Sequence, residues 1–209
     1  MRKGERAKAI LDYFRENVPV AESELDFQNP YQLVVAVILS AQCTDKRVNM
    51  HTPAFFLRFP TPELLAEASF EEVYELIKSI SFPNNKAKHL IGMARMLVSD
   101  FSSTVPSETD QLEKLPGVGR KTANVVRGNI YHEPSVVVDT HVKRISNKLG
   151  FVSEEDPEKI EFALMALLPE DYWILYNIHI IQLGRTICIA RSPKWEECFL
   201  RDVCPSCGK

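Results

Sequence analysis

Leu115-Pro116-Gly117-Val118-Gly119-Arg120-Lys121-Thr122-Ala123-Asn124-Val125-Val126 joins a short apolar segment to a longer one through a proline and two glycines one residue apart. The apolar spacing on the far side is helical, so the stretch reads as two helices linked by a glycine turn. Glycines there let the backbone approach a ligand closely. The N–H groups of the turn and of the following helix start then form a concave donor site suited to a phosphate oxygen. Such a contact positions a nucleic-acid backbone without reading its sequence. A bare pair of glycines is ordinarily no more than a helix cap, so the weight of this reading rests on its surroundings.

Working outward, apolar residues at spacings of three and four predict helices over Arg6–Glu16, Tyr31–Ala41, Phe70–Ser79, Asn85–Val98, Arg120–Ile130, His141–Leu149, Pro157–Leu168 and Tyr172–Cys188, with a Pro-led start at Thr61-Pro62-Glu63. The only strand-like run, Ser135–Val138, is too short to found a sheet, and the class is therefore all-α. Turn signals at Asn29-Pro30, Phe82–Asn85, Thr104–Ser107, Pro116–Gly119 and Glu133-Pro134 leave connections of ordinary length, with a domain boundary expected near Glu133-Pro134.

Composition narrows the classes. At 209 residues and 45% hydrophobic content the chain can bury a sizeable core. Tyr31–Ala41 is its longest apolar stretch, about half of the roughly 20 residues a membrane helix needs. The N-terminus is charged and then amphipathic, unlike a secretory signal, which predicts a cytoplasmic protein. A net charge of −3 gives no general affinity for nucleic acid. The distribution of charge is uneven, however. Lys114, Arg120, Lys121, Arg127, Lys143, Arg144 and Lys148 make the middle of the chain basic, while acids gather at 61–75 and 154–171, so one face can still be positive. Of five cysteines, Cys188, Cys198, Cys204 and Cys207 crowd the C-terminus, which suits a metal or cluster site better than a disulfide framework, and Cys43 reads as packing.

Taken together, LPGVGRKTANVV at 115–126, VDTH at 138–141, SAQCTD at 40–45 and the cysteine tail resemble the endonuclease III family of helix-hairpin-helix DNA glycosylases and AP lyases. The resemblance covers nearly the whole chain. It implies two helical lobes: a six-helix barrel-like lobe from 22 to 132, and a second lobe formed by 1–21 with 133–209. It also implies a cleft that places Lys121 opposite Asp139. The implied partner is damaged double-stranded DNA, acted on by a monomer at the bacterial nucleoid. The implied activity is removal of damaged pyrimidines followed by strand cleavage.

Chemistry agrees with those assignments. An isolated helical lysine is ordinarily a solvated charge, but an amine can attack the sugar carbon bearing a damaged base and form a Schiff base. The resemblance gives that role to Lys121. Asp139 precedes a helix, where aspartate is a favoured cap. A carboxylate held there can also stabilise positive charge developing on the sugar and help shuttle protons, and the resemblance makes Asp139 the catalytic aspartate. A base must leave the stack to be reached. By resemblance Gln42 fills the hole it leaves, Phe82 is the apolar wedge, and Asp45 orients the extruded base. Gly117, Gly119 and Arg120 hold phosphate, and His141 and Arg144 are further phosphate candidates. The loop Ser81-Phe82-Pro83-Asn84 departs from the glycine-containing loop of the family.

The tail is spaced C-x9-C-x5-C-x2-C. Four thiolates suit a four-iron cluster or a structural zinc; the resemblance implies a 4Fe-4S cluster. The family's pattern puts a cysteine at position 195, where this chain has Trp195, whose indole cannot ligate iron. Three readings are open: Cys207 is recruited, three cysteines hold a cluster with a labile fourth site, or there is no cluster. On function, the rivals are another branch of the superfamily, acting on mismatches or pyrimidine dimers, and a non-catalytic DNA-binding module. Lys121 and the short chain weigh against the mismatch branch.

Overall fold

The structure, a computed structural model, describes residues 2–18 and 25–207. The chain divides into two compact units, Glu22–Glu133 and Met1–Ala21 with Pro134–Lys209. The point near 21 at which it passes from one to the other lies outside the described residues. Among the described residues there is no strand, and Ser135–Val138 is an irregular connection. No helix among them is long and apolar enough to cross a membrane.

The unit 22–133 contains α2 (Pro30–Ser40), α3 (Asp45–Arg58), α4 (Pro62–Ala66), α5 (Phe70–Ile77), α6 (Pro83–Asp100), α7 (Thr109–Leu112) and α8 (Arg120–Val126), the last running on into a widened π turn over Arg127–Tyr131. Among the described residues this unit holds seven α-helices, two of them single turns. Helix α2 is the hub: Asn29 caps it by accepting the Gln32 N–H at 2.9 Å, Pro30 opens it, and every residue from Tyr31 to Leu39 is buried. A helix apolar all round belongs in a core. Each buried Leu, Ile or Val there contributes about 1.5–3 kcal/mol. Helices α3, α6 and α8 pack around it.

Helix α3 went unread in the sequence because Pro53 sits inside it. Proline removes one backbone bond and ordinarily breaks a helix. Here Val48, Thr52 and Phe55 bury one face of α3, and tertiary packing overrides the local cost.

The other unit assembles α1 (Lys3–Asn17), α9 (Thr140–Lys148), α10 (Pro157–Leu167) and α11 (Trp173–Thr186). Ala7, Ile10, Leu11 and Phe14 of α1 bury a stripe against Val142 and Ile145 of α9, Leu164 of α10 and Ile180 and Leu183 of α11. The N-terminal helix thus completes a core whose other parts lie beyond residue 133.

His179 sits in that core, 1% exposed, with its ring 5.2 Å from Phe14 and its Nδ1 2.5 Å from the Tyr172 hydroxyl. Burial, with Arg15 adding to it, pushes the imidazole below its usual range against the Val18 carbonyl, which favours the protonated ring. In the window below about 6.5 the unfolded chain takes up a proton the folded chain resists, so stability falls as pH drops. The thermal midpoint is expected to fall between about pH 7 and 5 more steeply than in His179→Gln, whose amide keeps a partner for Tyr172. Parallel slopes for the two proteins would refute this.

Candidate active site

In the hairpin, the two glycines answer different demands. Gly117 has φ +84°, and a Cβ there would lie 2.9 Å from the Cβ of His89 on α6, so both backbone and space exclude a side chain. Gly119 has ordinary φ and a Cβ would meet nothing within 4 Å. It caps α8 without any side-chain bond, leaving the helix start open to an approaching group. The turn is braced from beneath: Val118 N–H donates to the Leu115 carbonyl at 3.0 Å, and Gly92 lets the Pro116 ring reach α6, where a Cβ would be 3.2 Å from Cγ. Ala123, Asn124 and Val126 bury the inner face of α8, which leaves Lys121 exposed and Arg120 half-buried on the first turn.

In the same unit, Gln42 and Phe82 both hold left-handed backbone, φ 54° and 56°. Non-glycine residues adopt that region at a cost of order 1 kcal/mol or more, and such costs cluster at working sites. Phe82 is 59% exposed and immediately precedes Pro83, the first residue of α6. Gln42 is exposed in the turn between α2 and α3, while Asp45, the first residue of α3, is half-buried.

Sequence reasoning missed Lys86. Its side chain is buried, and Nζ donates to the carbonyls of Leu39 and Ala41, each at 2.7 Å. Burial lowers its pKa, partly offset by Cys43. A cation set on the C-terminal carbonyls of α2 satisfies groups the helix cannot. It also ties the turn carrying Gln42 to the first turn of α6, which carries Phe82. The signal was present: Lys86 falls in phase with Leu90, Met93 and Leu97, the buried stripe of α6.

In the unit that begins with α1, Asp139 caps α9, its Oδ1 accepting the Val142 N–H at 2.8 Å. The cap fixes the carboxylate at the end of a connection anchored by Asn177, whose Nδ2 donates to the Val137 carbonyl at 2.8 Å. His141 lies over Gly184 of α11, where a side chain would collide with its ring. The Arg144 guanidinium faces the cysteine tail. Nη1 donates to the Cys188 carbonyl at 2.7 Å and lies 3.7 Å from its sulfur, while Nη2 is 3.3 Å from His141 Nδ1.

All four tail cysteines are free thiols that line one pocket of about 370 Å3, part of it open to solvent, together with Trp195 and Lys148. Backbone N–H groups of Ser206 and Cys207 are directed at the Cys204 sulfur, and that of Leu200 at Cys198. Burial, then the neighbouring thiols, pushes Cys198 and Cys204 up, against those N–H groups. A cationic core placed among the sulfurs reverses that balance. Among the described residues no three His, Cys, Asp or Glu side chains converge to hold a single ion. Four thiols lining one pocket are the kind of donor set that iron–sulfur clusters and structural zinc both use.

The profile of the HhH-GPD superfamily of base excision DNA repair proteins matches residues 35–170, a span that includes the hairpin and Asp139. An endonuclease III of Synechocystis sp. is 48% identical over 205 residues, covering 98% of this chain and 94% of that one. The chain belongs to the endonuclease III family. An endonuclease III of Bacillus subtilis is 43% identical, covering 93% and 89% of the two chains. A solved structure of a trapped endonuclease III–DNA covalent intermediate superposes with TM-score 0.92 at 38% identity, over 99% of this chain and 97% of that one. A thermostable thymine-DNA glycosylase, at 22% identity and TM-score 0.84, shares the fold. Membership in the family accounts for the all-helical architecture.

Proposed function

We propose that the chain is a base excision DNA glycosylase and AP lyase that removes damaged pyrimidines from duplex DNA. The observation that carries this reading is an exposed lysine on the first turn of the hairpin's second helix, beside an open glycine cap, in a chain that matches endonuclease III along almost its full length. The hairpin takes a phosphate of the damaged strand at Gly117 and Gly119. Gln42 and Phe82, held in strained backbone and tied together through Lys86, fill and wedge the stack as the target nucleotide leaves it.

The Lys121 amine donates its electron pair to C1′ as the bond to the base breaks, and the base departs with a proton. The C1′–O4′ bond then breaks, its oxygen taking a proton from water, and the iminium that forms acidifies the C2′ proton, whose loss expels the 3′ phosphate. Asp139, held by the α9 cap, stabilises positive charge on the sugar while the base leaves. The cysteine pocket takes an iron–sulfur cluster that joins the C-terminal tail to the helices lining the pocket.

Borohydride tests the reading, because reduction of a Schiff base leaves enzyme covalently attached to its DNA. A duplex carrying one oxidised pyrimidine is expected to yield a covalent adduct and a cleaved strand, with neither from the undamaged duplex. Base release without an adduct would remove the lyase, and no reaction on any single-lesion duplex would remove the glycosylase.

A further inference from the structure

We infer that Cys204 and Cys207 form a two-thiolate knuckle and that Cys207 is an iron ligand of this chain, completing a set with Cys188 and Cys198. The proposal rests on reading the pocket as an iron–sulfur site. Its first support is position: Cys207 lines the same pocket as the other three cysteines. Its second is local geometry. Cys204-Pro205-Ser206-Cys207 closes a turn in which the Cys207 N–H donates to the Cys204 carbonyl at 3.3 Å, and the N–H groups of Ser206 and Cys207 are directed at the Cys204 sulfur. A two-residue spacer in such a turn brings two thiolates to one side, which is why short cysteine spacers recur in metal sites. N–H groups aimed at a sulfur stabilise it as a thiolate and tune the bound metal.

The third support concerns Trp195. It starts a single 3-10 turn, Trp195–Glu197, and its carbonyl accepts the Cys198 N–H at 3.3 Å. Its ring lines the pocket, with Lys148 Nζ 5.2 Å from the ring centroid. The indole is therefore a packed wall that a cation faces, and it offers no lone pair to iron. Thiolates supplied by one C-x2-C turn and two single cysteines suffice for four corners. The knuckle lies after Cys198 in the chain instead of before it.

The test is made on full-length protein purified anaerobically, with iron, acid-labile sulfide, zinc and visible absorption measured per chain. The parent is expected to carry about four irons and four sulfides. Cys207→Ala is expected to lose most of both along with the visible absorption, while Trp195→Phe and Cys43→Ala keep them. The double variant Trp195→Cys with Cys207→Ala is expected to regain iron, which separates a missing ligand from a damaged fold. Parental iron in Cys207→Ala would overturn the recruitment of Cys207 and leave the cluster standing. A parent that holds zinc alone, or no metal, would overturn the cluster itself, while borohydride trapping still judges the enzyme.

Discussion

Lys121→Gln is expected to abolish borohydride trapping and to lower base release by roughly 10⁴-fold or more, the scale on which loss of a covalent nucleophile acts. Glutamine has similar reach but no basic amine, so no imine can form. Lys121 is exposed on the first turn of α8, and the buried anchors of that helix are Ala123, Asn124 and Val126. The thermal midpoint is accordingly expected to move little, since exposed substitutions usually stay within about 0.5 kcal/mol. Binding to duplex with an uncleavable abasic-site analogue should persist within a few-fold, because the hairpin backbone is untouched. Trapping at parental yield would show that another amine is the nucleophile, and lost binding would show that Lys121 mainly contacts phosphate.

Asp139→Asn separates two jobs held by one side chain. Its Oδ1 accepts the Val142 N–H at 2.8 Å, and asparagine caps a helix about as well as aspartate, so stability should change by well under 1 kcal/mol. The charge, by contrast, is gone. Turnover under saturating DNA is expected to fall about 10²–10³-fold, the range found when one electrostatic stabiliser of a transition state is removed. KM should change far less than kcat. Asp139→Ala should lose both cap and charge, adding about 1 kcal/mol of destabilisation to the same kinetic defect. Near-parental turnover in Asp139→Asn would reduce this residue to a cap.

What could be read from the sequence, and what could not, follows from the range of the forces involved. Helix class, the hairpin and the end at Asn29-Pro30 are written in local spacing, turn residues and caps. Helix α3 was illegible because Pro53 is a local stop signal overruled by the burial of Val48, Thr52 and Phe55. Lys86 was illegible for a related reason: its partners, the carbonyls of Leu39 and Ala41, are 45 residues or more away. Its phase with Leu90, Met93 and Leu97 marks the position as buried but says nothing of the carbonyls it binds. Arg144 could be placed near Asp139 from sequence, but its bond to the Cys188 carbonyl depends on tertiary packing. Gly117 and Gly119 looked equivalent in the sequence, and only His89 beneath the former separates backbone necessity from open approach.

The discontinuous unit also imposes an order of events during synthesis. Helix α1 leaves the ribosome well before α9, α10, α11 and the tail that share its buried core. At roughly 5–20 residues per second, translation of Glu22–Glu133 alone occupies about 6–22 s. For that interval the apolar stripe of α1 has no permanent cover, while the unit behind it already holds all the residues it needs to fold. The nascent chain is therefore most open to chaperone capture at α1. A release of that capture should coincide with emergence of α11, not with emergence of the hairpin.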